Sequence, residues 1–158
     1  MKIIISPYSR KLRNGKNNAK NYPYWQDLIN LLRQSEFEVI QIGNNDETKF
    51  ENCNDYQFNL NLTDLKKLSL ECDSFFSVDN FYPHFCNLFH KRGVVIFSLS
   101  DPLIFGYKDN LNILKSKQYL RKNQFDIWES VQYNEFAFFP ASIIFKSSED
   151  FLNKLKRL

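Results

Sequence analysis

The sequence Asp73-Ser-Phe-Phe-Ser-Val-Asp79-Asn-Phe-Tyr-Pro-His84, followed by Val94-Val-Ile-Phe-Ser-Leu-Ser-Asp101-Pro102, is the most informative part of this chain. Its two short apolar runs, Phe75–Val78 and Val94–Phe97, predict buried parallel strands. Each run passes directly into a polar turn at its carboxyl end. Because ligands of open α/β sheets bind outside that edge, the pattern predicts a binding site there.

Strand and helix patterns alternate on both sides of this segment. Further strands are predicted at Lys2–Ser6, Phe37–Ile42, Tyr56–Leu60 and Leu111–Leu114. Helices are predicted at Tyr24–Arg33, from Thr63 to about Cys72, at Pro83–Lys91, at Gln118–Tyr133, and from a capping Ser147 to the end. This alternation predicts one domain, 1–158, with the α/β class: a three-layer, Rossmann-like α/β/α architecture around a mostly parallel sheet.

Composition excludes several classes of protein. Hydrophobic residues make up 43% and charged residues 25% of 158 residues, which is typical of a folded globular domain. Three cysteines without a Cys-x-x-Cys pair, and only two histidines, predict free thiols and no metal site, as expected in the cytoplasm. No apolar run approaches the roughly 20 residues of a membrane span, and none is expected.

The amino-terminal segment is strongly basic. Its first 20 residues contain six cations and no acid, namely Lys2, Arg10, Lys11, Arg13, Lys16 and Lys20. Such a loop suits a phosphate-bearing ligand, but a solvated loop or weak contact with nucleic acid has the same composition. Tyr8, Tyr22 and Tyr24 lie nearby, as in nucleic-acid-binding segments. The net charge of +3 nevertheless disfavours that function.

The polar turns supply the candidate site residues. Asp79 and His84 flank a predicted helix start, where they could face a ligand or serve as a cap and an ordinary helix residue. The same alternatives apply to Ser100 and Asp101 after the next strand. The sequence contains no Gly-x-Gly-x-x-Gly and no Gly-x-x-x-x-Gly-Lys-Ser/Thr, so an NAD enzyme and a P-loop NTPase are disfavoured.

Several motifs occur in an order that resembles one known family. The segment Asp79 to His84 is similar to Asp-(Ser/Thr)-Gly-Pro-x-His, and Phe97 to Pro102 is similar to Phe-Gly-Pro-Thr-Asp-Pro. Lys20-Asn-Tyr-Pro23 is similar to Lys-Arg-Trp-Pro, and Asn59-Leu-Asn-Leu-Thr63-Asp-Leu to Asn-Leu-x-Gly-x-Thr-x-Leu. Over residues 2–107 the chain therefore resembles the carboxyl-terminal, donor-binding domain of the heptosyltransferases, glycosyltransferase family 9.

The resemblance implies one half of a GT-B fold and a role for each candidate. By analogy, Lys20 and the amides around Ser100 and Asp101 would hold the diphosphate of a nucleotide sugar. Glu47 would bind the nucleoside, and Asp79 and His84 would lie on the sugar side. Neither a metal nor a cofactor is expected beyond the nucleotide-diphosphate sugar, because cations and helix dipoles can neutralise the leaving group.

The family pattern also implies what this sequence lacks. Phe81 and Ser98 stand where the family has glycine, and the acceptor-binding half has no counterpart in these residues. Asp79 is the candidate catalytic base within the chain. We therefore expect a glycosyltransferase-like donor-binding protein of the inverting type, working with an acceptor-domain partner chain or as a homo-oligomer. The alternatives are a non-catalytic binding or interaction protein that kept the fold and, less favoured, a nucleic-acid-associated protein.

Overall fold

All six strands described within residues 1–156 of the computed structural model belong to one parallel sheet. They are β1 (Lys2–Ser6), β2 (Glu38–Gly43), β3 (Asp55–Phe58), β4 (Ser74–Val78), β5 (Val94–Phe97) and β6 (Leu111–Leu114). Their order, β3-β2-β1-β4-β5-β6, is that of a Rossmann-like sheet. The predicted fold class is confirmed. The order also reverses at β1 and β4, and such a switch point opens a crevice at the carboxyl edge.

Helices cover both faces of the sheet. They are α1 (Trp25–Gln34), α2 (Leu62–Glu71), α3 (Phe81–Asn87), α4 (Pro102–Phe105) and α5 (Ala141–Leu155). Because side chains alternate across a strand, Ile3 and Ile5 belong to the core under α1 and α5, whereas Ile4 belongs to the core under α2 and α3. In residues 1–156, no helix has the length and apolar character needed to cross a bilayer.

Trp25 anchors the first of these cores. Its spacing with Leu28, Ile29 and Leu32 predicts a core position, and the structure confirms this with a fully buried side chain. The indole N–H donates a hydrogen bond of 3.1 Å to the carbonyl of Pro7. This bond satisfies the buried polar atom and ties the loop after β1 to helix α1.

Gly93 allows β5 to lie close to the β4 side chains. A Cβ at this position would lie 2.5 Å from the ring of the fully buried Phe75. We therefore expect Gly93→Ala to lower the free energy of unfolding by about 1–3 kcal/mol, as overpacking does. Urea denaturation measures the change. Adding Phe75→Leu to Gly93→Ala should recover part of this loss, and no recovery would contradict the steric explanation.

Two predicted helix starts are displaced by asparagine caps. Helix α2 begins after Asn61, whose side chain accepts a 2.9 Å bond from the Asp64 amide, and not at a Thr63 cap. Helix α3 begins at Phe81 rather than Pro83. It ends at Asn87, short of the predicted Lys91, and Leu88 beyond its end is 77% exposed.

The carboxyl-terminal third differs most from the sequence prediction. Within Gln118–Tyr133, all of which the structure describes, no α-helix forms; short 3-10 turns at Lys117–Tyr119 and Trp128–Ser130 lie in irregular chain. The last helix begins at Ala141 and not at Ser147. Its buried stripe, Ala141, Ile144, Ser148 and Leu152, has helical spacing that continues upstream of the predicted cap.

Candidate functional site

A cleft of about 940 Å³ opens at the carboxyl edge of the sheet. Its walls come from the loop after β1, the turn after β2, the start of α3 and the irregular segment near Trp128. Four of the predicted site residues line it: Lys20, Glu47, Asp79 and His84. Residues distant in sequence meet here because parallel strands all end at the same edge.

Asp79 lies at the centre of the polar wall. Its side chain is 9% exposed, and Oδ2 accepts a hydrogen bond of 2.7 Å from the Ser100 hydroxyl. The same oxygen lies 3.5 Å from the Lys20 ammonium. The Asp79 backbone carbonyl accepts a further bond, 2.9 Å, from the Ser9 hydroxyl. These contacts fix both the backbone and the carboxylate of Asp79.

The adjacent Asn80, not Asp79, caps helix α3. Its Oδ1 accepts a bond of 2.8 Å from the Tyr82 amide, and its Nδ2 donates to Ser6 and to the Tyr8 carbonyl. Asn80 therefore joins the ends of β1 and β4 as well as starting the helix. Since this neighbour takes the capping role, the Asp79 carboxylate is free to face the cleft.

Lys20 reaches this carboxylate from the loop after β1. Its side chain is 15% exposed, and its ammonium also lies 4.9 Å from the centre of the Trp128 ring. Burial lowers the pKa of Lys20, and the neighbouring Asp79 carboxylate opposes part of that shift. The cation is thus partly desolvated, which strengthens its interaction with any anion that enters the cleft.

His84 lies on the other side of Asp79, one turn into α3. Its Nδ1 is 3.0 Å from the Tyr107 hydroxyl, and its Nε2 is 3.9 Å from Asp79 Oδ1. The side chain is 43% exposed. The tyrosine therefore holds the imidazole with one ring nitrogen turned toward Asp79 and the cleft.

Glu47 lies on the far wall, in the turn after β2. Its carboxylate accepts bonds from the Asn44 amide at 3.0 Å and from the Asn44 side chain at 3.2 Å. Burial raises its pKa. Because β1 separates β2 from β4, the ends of those two strands are two strand spacings, about 10 Å, apart.

Ser100 and Asp101 lie outside the cleft wall. Ser100 is fully buried behind Asp79, and Asp101 caps α4 by accepting a bond of 2.9 Å from the Leu103 amide. The Asp101 amide donates to Gln124 Oε1 at 2.7 Å. Asp79 and Asp101 do share one edge of the sheet, but the amides of Asp101 and Leu103 are already engaged within the protein.

The basic loop folds over the cleft instead of forming an open groove. Arg10, Lys11 and Arg13 line the cleft, Lys11 Nζ lies 3.1 Å from Asp46, and Arg13 Nε lies 3.9 Å from Glu129. Tyr22, a candidate for stacking on bases, is buried and donates its hydroxyl proton to the Phe139 carbonyl. This arrangement fits a small anionic ligand better than a nucleic acid strand.

Two residues near the site were not foreseen from the sequence. Ser9 positions the Asp79 backbone, and Trp128 contacts Lys20. The sequence around Trp128 has a weak helical pattern, and it gives no sign of the contact with Lys20, more than 100 positions away. A lone serine in a polar loop likewise carries no sequence signal.

Comparison with solved structures identifies the architecture. A glycosyl transferase family 9 protein from Veillonella parvula DSM 2008 superimposes with a TM-score of 0.75 at 12% identity, over 98% of this chain and 46% of that one. The fold is that of roughly half of a GT-B glycosyltransferase. ADP-heptose lps heptosyltransferase II of E. coli gives a TM-score of 0.68 at 13% identity, over 98% of this chain and 47% of that one.

The E. coli heptosyltransferase WaaC, solved with ADP, gives a TM-score of 0.61 at 14% identity, over 97% of this chain and 43% of that one. At these identities the likeness establishes the fold. The chain spans less than half the length of each of these three structures. No family model matches the sequence, and no curated protein matches it.

Proposed function

We propose that the carboxyl-edge cleft binds a nucleotide-diphosphate sugar, as the donor half of a metal-independent, inverting glycosyltransferase. The observation that carries this proposal is the partly desolvated Lys20–Asp79 pair, which lies between Glu47 on one wall and His84 on the other. One similar structure is an ADP-heptose lps heptosyltransferase, and another was solved with ADP. Both support a nucleoside diphosphate as the ligand class.

The distance of about 10 Å between the ends of β2 and β4 suits the length of a nucleotide-diphosphate sugar. Glu47 would accept hydrogen bonds from the nucleoside, and Lys20, at the end of the β1 loop, would meet the diphosphate. Asp79 and His84 would face the sugar. Ser100 and Asp101 would act through their neighbours, since Ser100 donates to Asp79 and Asp101 caps α4.

In the proposed transfer, an acceptor hydroxyl oxygen bonds to the anomeric carbon while the bond to the diphosphate oxygen breaks. The hydroxyl proton passes to a base, for which Asp79 is the candidate on this chain. Negative charge grows on the departing diphosphate. The Lys20 ammonium lies where it can stabilise that charge.

A non-catalytic binding or interaction protein that kept the fold is the second candidate, and Phe81 favours it. The resemblance places glycine at this position, whereas here a phenylalanine side chain, 59% exposed, lines the cleft. A side chain there narrows the approach of a ligand to the start of α3. The first candidate requires both nucleotide binding and sugar transfer, and the second requires neither.

We expect ADP to raise the unfolding temperature of the protein, and adenosine to raise it less. At 100 times its dissociation constant a ligand that binds only the folded state adds about 2.7 kcal/mol of stability. A thermal-shift screen of ADP, UDP, GDP, CDP and adenosine, with inorganic phosphate as the control, measures this effect. Absence of a shift with every nucleoside diphosphate at millimolar concentration would contradict the proposed function.

We also propose that transfer needs a second, acceptor-binding domain over this edge. Six exposed apolar side chains lie in helices and loops on the carboxyl-edge side of the sheet: Leu62, Phe81, Leu103, Ile104, Phe125 and Ile127. Exposed apolar surface rimmed by polar residues is typical of an interaction site. The similar structures are about twice as long as this chain, which supports a domain of comparable size as the occupant.

Free thiols at Cys53, Cys72 and Cys86 support the cytoplasm as the compartment.

The 158-residue chain as a monomer is therefore expected to transfer no sugar from ADP-heptose. Donor, acceptor and base must be held together for transfer, and this chain offers a site for the donor. Size-exclusion chromatography with light scattering, followed by transfer assays on each peak, tests this. Transfer by a monomer peak would contradict the need for a second domain, whereas transfer by a dimer peak would identify the occupant as a second copy.

A further inference from the structure

Trp128 contacts two cations beside the cleft. The Lys20 ammonium lies 4.9 Å, and the Arg121 guanidinium carbon 3.8 Å, from the centre of its ring. Both distances fall within the range of a cation–π interaction, for which tryptophan is the strongest ring. Trp128 itself lines the cleft.

The position of Trp128 is fixed by the surrounding chain. Arg121 donates hydrogen bonds to the Asp126 carbonyl, at 2.7 Å, and to the Gln124 carbonyl. Gln124 in turn donates to the Leu99 carbonyl at 3.2 Å and accepts from the Asp101 amide. The irregular segment is thus tied to the end of β5, and the indole is held over the Lys20 side chain.

Lys20 needs such support because its surroundings oppose its charge. Burial lowers its pKa, and the nearby Arg121 guanidinium acts in the same direction. Asp79 stabilises the ammonium from one side. An aromatic face adds a second stabilising contact without neutralising the cation, so the positive charge stays available to an anion.

We propose that Trp128 is a positioning residue that holds the Lys20 ammonium in the cleft for the diphosphate. The part of this inference that concerns the ligand rests on the proposed function. Trp128 acts through Lys20 and is not assigned a contact with the reacting atoms. The motifs that carry the family resemblance do not include this residue.

Calorimetric titration with ADP and with adenosine tests whether Trp128 positions Lys20. The three proteins compared are the wild type, Trp128→Leu and Trp128→Phe. Trp128→Leu removes the ring, and Trp128→Phe keeps a weaker one. We expect Trp128→Leu to bind ADP about tenfold more weakly, Trp128→Phe to recover most of that loss, and adenosine binding to stay within about twofold in all three. ADP binding by Trp128→Leu at wild-type affinity, or equal loss for ADP and adenosine, would overturn the proposal.

A second readout needs no ligand. NMR titration of the Lys20 side chain, assigned with Lys20→Arg, should give a lower pKa in Trp128→Leu than in the wild type and an intermediate value in Trp128→Phe. An unchanged Lys20 pKa in Trp128→Leu would overturn the proposal. If ADP fails to bind the wild type, the proposed function fails while this titration still decides the role of Trp128.

Discussion

Lys20→Ala is expected to bind ADP about 10- to 100-fold more weakly than the wild type, with adenosine affinity unchanged. A hydrogen bond to a charged group contributes about 1.5–3 kcal/mol, and 1.4 kcal/mol is tenfold in affinity. Adenosine lacks the diphosphate that Lys20 meets in our proposal. Isothermal titration calorimetry with both ligands measures the difference, and equal losses for the two would show that Lys20 acts on the structure alone.

The same lysine sets the pH dependence of binding. Burial lowers the pKa of Lys20 below its ordinary value of 10.5, so the ammonium loses its proton as pH rises through the lowered pKa. ADP affinity should fall over that range. Folding stability should rise between the lowered and the ordinary pKa, because there the unfolded chain binds more protons. Lys20→Arg is the matched control, since arginine stays charged and its ADP affinity should stay flat.

Asp79→Ala is expected to lower the free energy of unfolding by about 3 kcal/mol. The Asp79 carboxylate is 9% exposed and is the acceptor for both Lys20 and Ser100. Its removal leaves a largely buried ammonium without its partner, which costs about 3–5 kcal/mol in other proteins. Urea denaturation at neutral pH measures the change.

Asp101→Ala is the matched control for this variant. Asp101 is also an aspartate at the carboxyl edge, but it caps α4, and loss of a cap costs about 1 kcal/mol. The double variant Lys20→Met, Asp79→Ala leaves no charge in the pair and should recover part of the Asp79→Ala loss. Equal destabilisation by Asp79→Ala and Asp101→Ala would contradict the assignment of Asp79 to a buried ion pair.

The sequence was sufficient to predict the sheet and one side of the site. Buried parallel strands appear as unbroken apolar runs, so β4 and β5 and the polar turns after them could be located. The shared edge then places Asp79 at the side of the sheet from which the loop carrying Lys20 also leaves. The residue that caps α3 could not be predicted, because Asp79 and Asn80 are both good caps. The choice of Asn80 goes with its hydrogen bonds to Ser6 and to the Tyr8 carbonyl, which are distant in sequence.

The segment 118–133 shows why the irregular chain beside the cleft could not be predicted from the sequence. Its apolar residues fall at nearly helical spacing, but the Gln124 side chain accepts a hydrogen bond from the Asp101 amide and donates one to the Leu99 carbonyl. Tertiary contacts thus override a weak local preference. The role proposed for Trp128 depends on a contact with Lys20, and local patterning carries no information about such contacts.

NMR titration of the isotope-labelled protein with ADP shows whether a nucleoside diphosphate binds in the carboxyl-edge cleft. We predict saturable amide shifts concentrated at Lys20, Glu47, Asp79 and His84, with adenosine moving the signals near Glu47 but not those near Lys20. Shifts confined to the opposite edge, near Leu70 and Leu88, or no shifts at millimolar ADP, would contradict binding in this cleft.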